Sequence, residues 1–482
     1  MLSRRGYTMR HRRAVAAVGP PGRAAPGPPA GDLGPPAMPR FLSPARVLVA
    51  SFAGLIVVGT LLLTLPVAAT STRLPVIDAF FTATSAICVT GLIVVDTPRD
   101  LSLFGQVVVM LLIQAGGLGY MTLSTVILSA FGRRVSFHAK MTLQESLNLD
   151  TREGLIRFAG TVFRFTLVFE LIGAVLLTLR WWPQHGLGHA AYLGLFHSVS
   201  AFNNAGFSLF SDNLMGYRGD LVVNLVITFL IICGGLGFVV LREMREAKRF
   251  DRLSLHSRLV LTMTMVLLAG GTIVILVLER GNPKTLAAVG WGEALLAAWF
   301  QAVTPRTAGF NTIDIGAMHP ATLFVVMALM MIGASPGSTG GGVKTTTFSV
   351  TVLALWATVR GAPGPTAFHR RLPGELVQKS FFICLIAFLA LNAVAGALLI
   401  AERQDLLRTL FETTSAFGTV GLSMGYPGSV LSLAAQFSVL GKLLLIAMMF
   451  AGRVGPLTLA IALAGRIQVP RFRYPEGRVA IG

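Results

Sequence analysis

Apolar runs long enough to cross a bilayer alternate along this chain with shorter ones that are not, four times over. Val47–Val67 holds 21 residues without a charge, and at about 1.5 Å per helical residue it covers a hydrocarbon core of about 30 Å. A short run ending in Phe80–Leu92 follows, and Leu101–Gly132 is long again. The same order recurs as Phe158–Leu179, Ala190–Ala201 and Leu221–Leu241, then as Leu259–Leu278, Ala294–Val303 and an apolar segment from Ala321. Ser380–Ala401, Leu406–Ala416 and Leu433–Leu463 complete it. The pattern predicts an all-α polytopic membrane protein of four tandem span–pore-loop–span units, with eight transmembrane helices and four re-entrant half-helices around one pseudo-fourfold pore. The units fall at 41–150, 151–252, 253–366 and 367–466.

The short runs are alike in residues as well as in place. Phe80-Phe81-Thr82-Ala83-Thr84-Ser85-Ala86-Ile87-Cys88-Val89-Thr90-Gly91-Leu92 is matched by Phe196–Phe207, by Phe300–Phe310 (one residue shorter from Phe to Gly) and by Phe411–Leu422. Each ends on a glycine followed by a bulky residue: Gly91, Gly206, Gly309 and Gly421. Irregular backbone survives inside a bilayer only where protein buries it or it lines water. Glycine tolerates φ > 0 and lets successive carbonyls aim inward. Four such loops about one axis make rings of carbonyl oxygens that can replace a cation's hydration shell, with the negative C-terminal ends of the half-helices favouring cations. The alternative is four tight-packed turns whose glycines serve only helix contact.

Composition agrees with a membrane protein: 54% of the 482 residues are hydrophobic and only 13% charged, against about 25% charged in soluble domains. The net charge of +19 is spread over a basic N-terminal tail and the loops, which argues against nucleic acid as a partner and for orientation signals. Connections between units carry Arg133, Arg134, Lys140, Arg152 and Arg157, then Arg242, Arg245, Lys248, Arg249, Arg252 and Arg258, then Arg360, Arg370, Arg371 and Lys379. Connections beside the short runs carry fewer: Arg73, Arg99, Arg180 and Arg218. Both termini and the inter-unit loops are therefore expected in the cytoplasm, in a plasma (inner) membrane, with all four short runs entering from outside. Residues 1–40, rich in Pro, Gly, Ala and Arg, read as a disordered cytoplasmic tail, and 467–482 as a second cytoplasmic tail. Cys88, Cys233 and Cys384 have no metal-like spacing, and the eight histidines are scattered.

At this point the residues resemble a known family, the Trk/Ktr/HKT superfamily of potassium transporters, and the similarity runs from about residue 42 to 466. Ala86–Leu92, Ala201–Phe207, Thr304–Thr312 and Ser415–Leu422 are similar to its four filter segments, and a first span near Val47 looks like the eight-span Ktr branch. The resemblance implies potassium uptake, with K+ bound by Val89-Thr90-Gly91, Asn204-Ala205-Gly206, Thr307-Ala308-Gly309 and Thr419-Val420-Gly421. It implies no tightly bound or covalent cofactor, and allows Na+ as a modulator. Family members with serine at the first filter glycine tend towards sodium; here all four positions are glycine. A sodium-selective or poorly selective transporter of the same build is the alternative. The resemblance also implies a homodimer and a separate cytosolic ring that binds ATP, ADP or NAD.

Other polar residues have candidate roles. Asp96, Asp212 and Asp314 follow their filter glycines by five or six residues, and Tyr426 takes the fourth place; the three carboxylates either attract cations to an outer mouth or are solvated loop charges. Gly333–Lys344 should unwind the third unit's last span, and by resemblance Gly337, Ser338, Thr339, Gly340, Gly341, Gly342 and Lys344 belong to a gating loop. It is no P-loop, because Val343 separates the last glycine from Lys344. Arg453 interrupts the fourth unit's last span, where a charge costs roughly 2.5–3.5 kcal/mol on insertion scales and so faces a cavity or partner. Gly452–Pro456 is similar to the family segment that puts an arginine in the pore. Glu170 suits an inter-helix partner better than a proton relay. No convergent set of nucleophile, base or metal ligands suggests an enzyme.

Overall fold

In the computed structural model, which describes residues 44–119, 155–426 and 428–464, each apolar run becomes a helix and the four-unit order is kept. The first unit comprises α1 (Pro44–Leu63), α2 (Val76–Ile87) and α3 (Leu103–Leu118). The second comprises α4 (Leu155–His185), α5 (Leu187–Phe202), α6 (Leu221–Leu236) and α7 (Phe238–Ala247). The third has α8 (Leu255–Glu279), α9 (Trp291–Val303), α10 (Pro320–Met331) and α11 (Thr345–Val359). The fourth has α12 (Gly374–Glu402), α13 (Leu406–Gly418), α14 (Val439–Val454) and α15 (Pro456–Ala464). The expected tails at 1–40 and 467–482, and Arg133, Arg134, Lys140 and Arg152, lie outside the described residues.

The opening helix of every unit is long and apolar enough to cross a membrane. Large side chains on these helices, among them Leu61, Leu171, Val277 and Phe388, are exposed on the exterior, an arrangement that suits lipid and would be costly in water. The closing helices of the first, second and fourth units begin at side-chain caps: Ser102 accepts from Gly105 N, Asp220 from Val222 N and Val223 N, and Ser438 from Gly441 N. Such caps satisfy amides that the first helical turn leaves unpaired.

The closing helices depart from expectation. A break was expected in the third unit alone, yet α3, α6 and α14 also stop, at Gly119, Gly237 and Gly455, whose φ values are +75°, +94° and +92°. Leu221–Leu241 is thus not one straight span: α7 turns away from α6 by 97°. Just before each break, Gly116, Gly234 and Gly452 abut the carbonyl oxygens of Ile87, Phe202 and Phe417, where a Cβ would overlap. The closing helix can press on the end of its own pore helix only where it lacks a side chain. One short antiparallel hairpin, Thr366–Ala367 with Arg370–Arg371, lies in the connection between the third and fourth units and is the exception to an all-helical chain among the described residues.

Neighbouring units are joined by polar side chains. Tyr192 donates to Gln106 Oε1 at 2.9 Å, Arg218 pairs with Glu293 at 2.6 Å, and Lys442 pairs with Asp78 at 2.6 Å. Glu170 has the inter-helix partner expected of it, accepting from Asn203 Nδ2 at 2.8 Å.

Candidate functional site

The four pore helices α2, α5, α9 and α13 run into loops of one backbone pattern. Val89, Asn204, Thr307 and Thr419 have φ of +52°, +60°, +68° and +50°, and the glycines two residues later have φ of +91°, +71°, +79° and +93°. The residues between (Thr90, Ala205, Ala308 and Val420) do not have positive φ. Alternating hand turns successive carbonyls to one side, the arrangement a carbonyl-lined filter needs. A non-glycine residue in the left-handed region costs about 1 kcal/mol and persists only where its surroundings hold it.

The loops close a ring in chain order. A Cβ on Gly206 would stand 2.7 Å from the Ala308 oxygen, and one on Gly309 2.5 Å from the Val420 oxygen. On Gly421 it would overlap the Thr90 oxygen, and on Gly91 the Ala205 oxygen. Each glycine therefore faces the next unit's backbone, and the fourth faces the first. All twelve expected filter residues are buried in this ring. Thr90 Oγ1 and Thr419 Oγ1 have no hydrogen-bond partner among the described residues.

Hydroxyls behind the ring, not singled out from the sequence, set its shape. Ser85 and Ser415 accept from the amides of Gly91 and Gly421 at 3.0 Å. Ser200 donates to Phe207 O at 2.7 Å, and Thr304 to Phe310 O at 2.5 Å. The signal was present: a hydroxyl residue stands six positions before each glycine, or five in the shorter third loop.

Outside the ring is a cavity of about 170 Å³ lined by all four glycines together with Asp96, Asp212 and Asp314. Asp212 and Asp314 also hold turns, accepting from Gly216 N at 3.2 Å and Gly316 N at 2.9 Å. Asp96 differs in being buried. Burial pushes its carboxyl up from the usual carboxylate range, against a hydrogen bond from Ser211 at 2.7 Å and the charge of Arg99 at 3.5 Å. Asp212 and Asp314 are exposed, as loop charges are, while Asp96 is not; all three line the one mouth. Tyr426 is not among the residues lining it; the fourth side is formed by Ser423, Met424 and Gly425.

On the other side of the ring lies the broken segment of the third unit. It is not exposed anywhere between Ile332 and Lys344, and its base is closed by Gly333 N donating to Val343 O at 2.9 Å. Gly340 and Gly341 lie against the hydroxyls of Thr307 and Thr419, so close that a Cβ would overlap either. The segment is stitched to the neighbouring breaks. Thr339 N donates to Gly234 O at 3.2 Å, Gly342 N to Gly452 O at 3.2 Å and Phe238 N to Gly337 O at 3.0 Å. Within it, Ser338 donates to Ser335 O at 2.6 Å and Lys344 Nζ to Gly340 O at 2.7 Å.

Arg453 completes this layer. It is placed not mid-helix but in the last turn of α14, two residues before the break, and its guanidinium donates to the carbonyls of Thr339, Gly116 and Gly117. These are carbonyls of the unwound segment and of the end of α3, which lack full helical pairing. Segment and arginine together bridge all four units beneath the ring.

A family model described as TrkH, cation transport protein, matches residues 38–471. The chain belongs to that family. It is 43% identical to the Ktr system potassium uptake protein B of Bacillus subtilis, with 91% of this chain and 97% of that protein aligned. It is 41% identical to the protein of the same description from Vibrio alginolyticus, over 91% of this chain and 94% of that one. A potassium/sodium uptake protein, NtpJ, of Enterococcus hirae is 37% identical, over 92% and 98%. Among solved structures, the potassium transporter TrkH from Vibrio parahaemolyticus superposes with a TM-score of 0.70 at 20% identity, over 87% of this chain and 84% of that one. That is a likeness of fold for this TrkH-family membrane protein.

Proposed function

We propose that this TrkH-family chain takes up K+ across the plasma membrane through a channel-like pore, with both termini in the cytoplasm and no chemistry on the ion. The observation that carries the reading is the closed ring in which each filter glycine abuts the next unit's carbonyl. Carbonyl oxygens in a water-excluded ring substitute for a cation's hydration shell. The acidic mouth concentrates cations before they enter. Relatives more than 40% identical over nearly their whole length are described as potassium uptake proteins, which supports K+ as the cargo. Gly337–Gly342, Lys344 and Arg453 act as the gate, since they bridge the four units directly below the ring.

The same relatives are described as parts of a Ktr system. On that likeness, the chain works as a homodimer beneath which a separate nucleotide-binding ring docks on the basic inner loops and moves the gate. Na+ acts as a modulator and not as the cargo. Expression in a cell stripped of its own potassium transporters tests the reading. Growth on low K+ and uptake of K+ ahead of Na+ are expected; failure to rescue, or preferential Na+ uptake, refutes it.

Asp96 supplies a pH test. Because burial raises its pKa, its charge is lost earlier than a free carboxylate's as external pH falls. Lowering external pH from about 7 to about 5 should raise the K+ concentration needed for half-maximal uptake, by a few-fold at low ionic strength. In Asp96→Asn that concentration should already be raised at neutral pH and should change less with acid. Parallel pH profiles for the two chains would remove Asp96 from the mouth's electrostatics.

A further inference from the structure

One repeated position on the pore helices carries a different residue in each unit. After Phe80, Phe196, Phe300 and Phe411 come Phe81, His197, Gln301 and Glu412, all completely buried. His197 sits 3.0 Å from Ser208 Oγ, in the segment after the second filter loop. The side-chain amide of Gln301 has no partner among the described residues. Glu412 is bound on both oxygens: Ser423 Oγ donates to Oε2 at 2.6 Å, and Ala434 N to Oε1 at 3.0 Å.

The hydrogen-bond directions settle what this pocket accommodates. Ser423 Oγ already accepts from Gly425 N and Leu433 N, both at 3.0 Å, so its hydrogen is directed to the carboxylate. Two donors and no acceptor face Glu412, the surroundings of a carboxylate anion. None of the ion pairs among the described residues involves it. A buried carboxylate without a protein cation is costly unless another positive charge lies near. Ser423, two residues past Gly421, lines the cavity above the ring.

We propose that Glu412 is a specificity-determining positioning residue. Its carboxylate behind the fourth loop is charge-balanced by the permeating cation, and through Ser423 it holds the wall of the mouth beside Gly421. This rests on the ring being a cation filter. No other unit has a carboxylate at this position, so the charge is asymmetric about the pore. Its loss should be felt in cation affinity and preference, more than in folding.

The full chain, reconstituted in liposomes, provides the test. Glu412→Gln keeps the shape but turns an amide N–H towards one of the two donors. Half-saturating K+ is expected to rise about tenfold and K+-over-Na+ preference to fall several-fold, while the maximal rate stays near wild type. Ser423→Ala keeps the charge but cuts its link to Gly425 and Leu433, so preference should fall while half-saturation moves less. Wild-type affinity and preference in Glu412→Gln overturn the proposal. If that variant does not fold, Ser423→Ala decides, and wild-type preference there overturns it. A wild type that moves no K+ refutes the transport reading instead. The proposal is then read from thermal shifts of the purified chains with K+ and Na+, and equal shifts in wild type and Ser423→Ala overturn it.

Discussion

A Gly91→Ser chain should lose about a factor of ten in K+-over-Na+ preference, equivalent to about 1.4 kcal/mol. Two costs combine at this position. The backbone has φ of +91°, where an L-residue is strained by about 1–2 kcal/mol. A Cβ would also fall on the Ala205 carbonyl oxygen of the next loop. Neither can be relieved by a local rotation, because the ring is closed and Ser85 ties the Gly91 amide from behind. The first and second loops must separate, and the carbonyls they present move with them. A looser ring matches the hydration energies of K+ and Na+ less sharply, so discrimination falls before flux does. Paired uptake measurements with each ion in transporter-deficient cells check this, and an unchanged ratio would mean that Gly91 is a packing residue only.

Arg453→Ala should raise the flux of the purified chain by about tenfold or more. Hydrogen bonds from a charged donor contribute about 1.5–3 kcal/mol each, and this guanidinium reaches Thr339 of the broken segment and Gly116 of the first unit at once. Its removal releases one end of the layer under the ring and leaves those carbonyls to water. Arg453→Lys should behave nearly as the alanine variant does, because a compact ammonium lacks the planar fork whose two amino groups reach the two carbonyls separately. Liposome flux of the purified variants distinguishes the outcomes. Wild-type flux in both would show that the arginine is only a structural bond.

The architecture was legible because its signals are long and repeated. Twenty-residue apolar runs, a glycine at the end of each short run and a Pro/Gly-rich interruption at Gly333–Lys344 each survive as pattern without knowledge of contacts. The breaks at Gly119, Gly237 and Gly455 did not, although Gly-Gly-Leu-Gly stands at both 116–119 and 234–237 and Gly-Arg-Val-Gly at 452–455. A glycine within an apolar run reads as a tolerated helix residue; that it ends the helix depends on a pore helix arriving from elsewhere in the chain. Arg453 occupies the place of Gly117 and Gly235 in that repeat, a comparison that gives its location directly. The pairing of Lys442 with Asp78 leaves no such pattern, because the two are 364 residues apart. Glu412 was passed over within the fourth motif, since its meaning lies in the donors of Ser423 and Ala434 that fold back over it.

The fourth unit meets the first at a seam that no linker crosses. Lys442 with Asp78, Ser432 with Ile93, Arg46 with the Ala462 carbonyl and Gly421 against Thr90 all lie along it. Three boundaries of the ring have a peptide connection to limit their opening; this one has non-covalent contacts alone, among them the backbone bond from Ser432 N to Ile93 O at 3.0 Å. Mechanically the pore is a split collar, and dilation of its wall will be easiest at that join. Cross-linking the seam would turn the collar into a hoop.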